Sequence, residues 1–113
     1  SRGGVRYVHQ KGKTIRTPLV ALIFTPNLRH YQRFGVVISK KVLKSAVGRN
    51  RIRRRVYEAL RLELEGFTCP IDCLFIIHSR SVAKIPFLEL RRLVHELLER
   101  ALAEISPVSK PKL

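Results

Sequence analysis

No aspartate or glutamate occurs in the first 57 residues, which carry fifteen lysines and arginines. The other 56 residues hold eight bases and all eight acids, so the whole net charge of +15 belongs to one half of the chain. A half so charged repels itself and weakens the compact state, an arrangement that makes sense when an anionic partner neutralises it. A nucleic-acid backbone is the cheapest such partner, because binding it releases condensed counterions. No apolar run approaches the roughly 18–20 residues that a membrane span needs. Methionine is absent even at position 1, which fits numbering that starts inside a longer product or after a trimmed tag. Ser1 opens no hydrophobic signal segment, so secretion is not expected. Cysteine is scarce: Cys69 and Cys73 stand as C-x3-C with no second pair, and His78 and His95 do not follow at zinc-finger spacing. Cys73 lies in an apolar run and reads as a buried, reduced thiol, which with the missing signal points to the cytoplasm.

Catalytic constellations are missing as well. The basic half offers no carboxylate pair for metal-assisted phosphodiester cleavage, and neither a P-loop nor a dinucleotide fingerprint occurs. The four histidines are scattered, and only His95 has an acid at helical spacing, Glu99, which reads as a surface pair. No catalytic residue and no metal or cofactor held by side chains is expected.

What is present is a core. Apolar residues make up 45% of the 113, enough for one folded domain over residues 1–105 with a flexible tail at 106–113. Val5 to Lys11 reads as a short helix ended by Gly12, Pro18 to Thr25 as a buried strand, and Arg33 to Ser39 as a second. The loop from Leu28 to Gln32 has hairpin length. A long helix is expected from Ala46 to about Glu65, with Ile52, Val56, Ala59 and Leu60 as its buried stripe. A strand from Ile71 to His78 follows, and Pro86 opens an amphipathic helix that buries Leu90, Leu93, Val94, Leu97, Leu98, Ala101 and Ile105. The order α-β-β-α-β-α makes a two-layer α/β sandwich.

The long helix concentrates the chemistry. At about 100° per residue, Asn50, Arg53, Arg54, Tyr57 and Arg61 share the arc opposite the apolar stripe, with Arg49, Arg51 and Arg55 on its shoulders. Guanidinium forks hold phosphates bidentately and stack on bases. No acid accompanies them at helical spacing until Glu58, so an ordinary solvated salt-bridge face does not describe them. Lys40 and Lys41 stand just before the helix. Tyr7, Tyr31 and Tyr57 are either packing residues or platforms for unpaired bases, while Phe24 and Phe34 read first as strand core.

Arg33-Phe-Gly-Val-Val-Ile-Ser-Lys-Lys41, a short spacer, and Ala46-Val-Gly-Arg-Asn-Arg-Ile-Arg-Arg54 resemble the signature of the bacterial ribonuclease P protein subunit. The resemblance runs over nearly the whole chain, including the later strand followed by Arg80 and the last amphipathic helix. It implies a ribonucleoprotein that removes the 5′ leader from precursor tRNA. The RNA subunit would supply the active site and bind catalytic Mg2+, and the protein would hold the single-stranded leader and lower the magnesium requirement. It also implies a sandwich with a left-handed β-α-β crossover, where general chirality predicts the right-handed one. By position, Arg49, Asn50 and Arg51 match the Arg-Asn-Arg element that contacts the RNA subunit, Arg53 and Arg54 continue it, and Lys40 and Lys41 match the preceding lysines. The family's leader cleft lies between the first helix and the sheet. Its usual Phe positions fall here on Val5 and His9, leaving Tyr7, Tyr31 and Phe34 as further cleft candidates. Tyr57 replaces a common basic residue.

A ribosomal or other structured-RNA binder without a processing role fits the charge equally well, but not the ordered block from Lys40 to Arg54. A DNA-reading helix lacks the partner helix and tight turn it needs, so no DNA partner is expected. A membrane partner is excluded because the apolar stripe is needed for the core and the basic face carries no Trp or Phe.

Overall fold

The computed structural model describes residues 12–26, 32–66 and 71–105. The expected first helix at Val5 to Lys11, residues Tyr7, His9, Tyr31 and Cys69, and the tail 106–113 lie outside them. Four strands form one sheet: β1 (Lys13–Arg16), β2 (Val20–Pro26), β3 (Arg33–Ile38) and β4 (Ile71–Ile77), in the spatial order β1-β2-β4-β3. The described residues also form two helices, α1 (Ala46–Glu63) and α2 (Phe87–Ile105), and two short 3-10 turns, η1 (Leu64–Gly66) after α1 and η2 (Arg80–Ala83) before α2, with β4 between the turns.

Every residue of β4 except half-buried Ile76 is buried, and β2 is buried up to its terminal Pro26. Strands apolar on both faces belong in the middle of a sheet. β2 and β4 therefore pair antiparallel at its centre, with Leu22 opposite Phe75 and Phe24 opposite Cys73. β3 keeps an exposed Val37 and takes the edge, running parallel to β4 with Val36 beside Phe75. This corrects the expected hairpin: β2 and β3 follow each other in sequence, but β4 lies between them. The parallel pair requires a crossover, which α1 supplies.

β1 was not anticipated, and nothing in Lys-Thr-Ile-Arg but Ile15 turns to the core. It is held by pairing with β2 through a turn in which Thr17 Oγ1 donates to the Val20 carbonyl at 2.6 Å and accepts from the Val20 amide at 3.0 Å. Pro18, expected to start the strand, sits in that turn, where its missing N–H costs nothing.

The main core lies between one sheet face and the helices. Leu22, Phe24, Phe75 and Ile77 meet Ile52, Val56, Ala59 and Leu60 of α1 and Leu90, Val94, Leu97, Leu98 and Ala101 of α2. The opposite face carries a small apolar cluster of Ile23, Leu74 and Ile76. Gly35 lies beside Leu74 in register, and a Cβ there would meet Leu74 Cδ1 at 3.0 Å, so glycine lets that side chain lie flat across the edge strand. At the end of this face Arg33 grips buried Asp72 with both guanidinium arms, Nε to Oδ1 at 2.9 Å and Nη2 to Oδ2 at 2.7 Å. A buried carboxylate needs such a partner, and this pair ties the edge strand to the central one.

Candidate nucleic-acid interface

The basic surface is built from the loop before α1 and from the first half of that helix. After β3 the chain turns on Ser39, whose carbonyl accepts from the amides of Val42 at 3.1 Å and Leu43 at 3.2 Å. That turn leaves Lys40 and Lys41 exposed. Ser45 caps the helix, its hydroxyl accepting from the Gly48 amide at 3.0 Å. A Cβ on Gly48 would meet Leu43 Cδ2 at 2.7 Å, so glycine allows Leu43 to fold back over the first turn.

Arg49 completes this unit. Its Nη1 donates to the carbonyls of Leu43 at 2.9 Å and Lys44 at 2.8 Å, fixing the lysine loop to the helix. Arg53 leans toward the sheet edge, with Nη1 donating to Asn50 Oδ1 at 2.7 Å and Nε lying 3.5 Å from the Val36 carbonyl. The Tyr57 hydroxyl lies 3.5 Å from the Phe34 carbonyl, so two α1 side chains shield the outer edge of β3. On the other shoulder Arg55 donates to the carbonyls of Val82 and Ile85, both at 2.6 Å, and joins α1 to η2.

The expected comb therefore divides. Arg49, Asn50 and Arg53 belong to it but spend donors or acceptors on the fold. Lys40, Lys41, Arg51 and Arg54 are exposed and their side chains make no hydrogen bond or ion pair among the described residues, and the Lys44 side chain shares that state. Arg61 is at the right place on the arc but is paired with Glu58, Nη2 to Oε2 at 2.5 Å. That hydrogen bond holds the Glu58 carboxyl below the ordinary carboxylate range and raises Arg61. Phe34, a cleft candidate, faces the helix layer beside Cys73 and packs half-buried against the main core. Strand alternation fixes this, since Arg33, Gly35 and Val37 take the other face.

No acid stands in the first turn of α1, whose acids Glu58 and Glu63 fall in its second half. This is the reverse of what the helix dipole favours, by about 0.3–1 kcal/mol per charge. Excess cation at the positive end of a helix is a local cost that bound phosphate removes.

The C-terminal end of α1 is clamped to α2 by groups that spacing within one helix does not reveal. Glu63 accepts from Arg91 Nε and from His95 Nδ1, both at 2.9 Å, and His95 Nε2 lies 3.0 Å from Glu99 Oε2. Burial pushes Glu63 upward, but the bonds from Arg91 and His95 outweigh it and hold it low. The Glu63 bond raises His95 against its desolvation, with the Glu99 charge adding to the effect. The i,i+4 pair read from the sequence is one side of this bridge. The other side is a tertiary contact.

Comparison with known proteins follows the same residues. The Ribonuclease P family profile matches residues 4–102. The ribonuclease P protein component of Chloroflexus aurantiacus is 38% identical over 105 residues, covering 93% of this chain and 77% of its own. That of Roseiflexus castenholzii is 42% identical over 94 residues, covering 83% and 76%. The solved RNase P protein from Thermotoga maritima shares 24% identity with a TM-score of 0.78, covering 88% of this chain and 92% of that one. The Staphylococcus aureus RNase P protein shares 21% with a TM-score of 0.70, covering 97% and 94%. At those identities the solved structures speak for the fold, and the curated relatives speak for the family.

Proposed function

The chain belongs to the ribonuclease P protein family, and from that premise we propose that it binds the catalytic RNA through the α1 face and guides the 5′ leader of precursor tRNA to it in the cytoplasm. Ribonuclease P is an endoribonuclease of tRNA processing, and this chain is similar throughout to its protein component. The observation that carries the RNA-binding reading is the set of exposed cations that have no hydrogen-bond or ion-pair partner among the described residues, Lys40, Lys41, Arg51 and Arg54, on a hydrogen-bonded loop–helix unit. Arg49, Asn50 and Arg53 hold that unit in shape.

The protein's share is binding and positioning, and it contributes no catalytic group. The α1 face presents guanidinium and ammonium groups, which repel Mg2+, so we assign the catalytic magnesium to the RNA. Among the described residues no three His, Cys, Asp or Glu side chains are grouped to hold a metal ion. By neutralising phosphates the protein does work that otherwise falls to free magnesium, and this supports a lowered magnesium requirement. The leader is assigned, on the family resemblance, to a cleft between the first helix and the sheet; its candidates Val5, Tyr7, His9 and Tyr31 lie outside the described residues. Among the described residues no helix is long and apolar enough to cross a membrane.

Titration of the protein against ribonuclease P RNA and against a structured ribosomal RNA fragment of equal length tests the reading. Binding to ribonuclease P RNA is expected to be at least tenfold tighter at equal salt. Equal affinities would reduce the protein to a general structured-RNA binder.

A further inference from the structure

The second half of the chain is electrically neutral as a whole, yet its charges are not evenly mixed. Between Asp72 and Glu89 no acid occurs, and Arg80 and Lys84 stand in that interval. Both flank or lie in η2, which leaves the centre of the sheet at the end of β4. Both are exposed, and among the described residues neither side chain makes a hydrogen bond or ion pair. An unpaired basic loop in an otherwise compensated half calls for an explanation.

The fold brings this loop to the basic helix. Arg55 reaches from α1 to the Val82 and Ile85 carbonyls, at 2.6 Å each, so η2 is fastened to the shoulder of α1 at one point between its two exposed bases and at one just past the second. Ser79 caps η2 by accepting from the Ser81 amide at 3.1 Å, and Val82 is fully buried, so the loop has a defined shape. Arg51 precedes Arg55 by four residues and so lies about 6 Å back along the same shoulder. Around the helix axis Arg54 and then Arg51 lead from the outer face toward η2. The cations thus continue off the helix without an intervening acid, apart from Glu58 one turn further on, which is occupied by Arg61.

We propose that η2 is a second phosphate-binding arm, with Arg80 and Lys84 contacting the backbone of the same catalytic RNA that α1 binds. Arg55 acts as the strut that sets the angle between arm and helix. The inference rests on the reading of α1 as the RNA-binding face and extends it to residues outside the Arg-Asn-Arg block. One helix can follow one stretch of backbone. Two fastened basic elements recognise the relative placement of two stretches, which is how a protein without base contacts selects a shaped RNA.

The test is equilibrium binding of ribonuclease P RNA over a series of salt concentrations. It compares the unaltered protein, the double variant Arg80→Ala/Lys84→Ala, and Arg54→Ala, with thermal melting as the control for folding. Two lost phosphate contacts should lower the slope of log K against log salt by about 2 and weaken binding roughly tenfold or more near 0.1 M salt, with melting unchanged. The charge-conserving variant Arg80→Lys/Lys84→Arg should keep the slope. If the double variant binds with unaltered slope while Arg54→Ala loses affinity, the arm is refuted and the helix reading stands. If neither changes binding, both fail. A second arm of the experiment measures precursor tRNA binding to the preformed ribonucleoprotein. A slope change confined to that step would move the contact from the catalytic RNA to the substrate and overturn the assignment.

Discussion

Individual arginines on α1 differ in what their guanidinium groups are already doing. Among the described residues the Arg54 side chain makes no hydrogen bond or ion pair, so Arg54→Ala should remove a phosphate contact and leave the fold unchanged. The expectation is a roughly tenfold loss of RNA affinity near 0.1 M salt and a salt slope reduced by about 1, with no change in melting temperature. Arg49→Ala should weaken binding too, by a different route. Removing the bonds to the Leu43 and Lys44 carbonyls frees the lysine loop, and amide exchange over residues 40–44 should accelerate in this variant and not in Arg54→Ala. Glu58→Gln offers the converse test: Arg61 loses its ion pair and becomes available. RNA affinity should rise a few-fold with a slope steeper by about 1. If affinity does not rise, Arg61 lies outside the interface.

Elements were legible in the sequence to the extent that burial alone produced their pattern. The stripe Ile52, Val56, Ala59 and Leu60 appears in the structure as expected, and so does Leu90, Val94, Leu97, Leu98 and Ala101, while Leu93 and Ile105 at its margins are only half-buried, because a helix packed on one side must repeat its apolar residues. β1 was illegible because a four-residue edge strand held by backbone pairing needs only one buried side chain, Ile15. The placement of β4 between β2 and β3 had a signal that adjacency in sequence concealed: continuous apolar runs mark central strands, and β3 alone among the longer strands carries an exposed apolar residue midway. Within the site, Arg51 and Arg54 could be placed by helical periodicity, and Lys40 and Lys41 by their position just before the helix. The struts made by Arg49 and Arg55 could not, since each joins an arginine to a backbone carbonyl and carries no sequence pattern. The contact of Glu63 with Arg91 and His95 joins two helices and was hidden for the same reason.

That interhelical clamp makes stability depend on pH in a definite direction. His95 is raised above its ordinary value of 6.5 in the fold, so its contribution is complete below that pH and is lost as pH rises through the folded value. Glu63 is lowered from 4.5, so its contribution is present above that pH and is lost as acid brings the solution down through its folded value. The clamp is therefore strongest between the two ordinary values. Between pH 6 and pH 8.5 the protein should lose up to about 1 kcal/mol more stability than a His95→Gln variant does, a modest figure because His95 is partly solvated. Denaturant titrations at the two pH values measure the difference. Identical pH dependence in both proteins would remove His95 from the clamp.

At the scale of the whole molecule, fold and charge are segregated in a way that suits an anionic partner. Acids gather on α2 and at the end of α1, while bases gather on the loop and first half of α1 and continue onto η2. α2 closes the core, and α1 turns its outer face to solvent with its charges uncompensated. A continuous core runs from β1 to α2 beneath that face. The proposed function is a division of labour, in which the RNA would do the chemistry and the protein would fix the geometry and screen the charge.

The most direct test of that claim is precursor-tRNA cleavage by a bacterial ribonuclease P RNA at low magnesium, with and without this protein. Cleavage at the mature 5′ end that appears only when the protein is present is the predicted result. Tight, salt-sensitive binding to the RNA with no gain in cleavage at any magnesium concentration would contradict it.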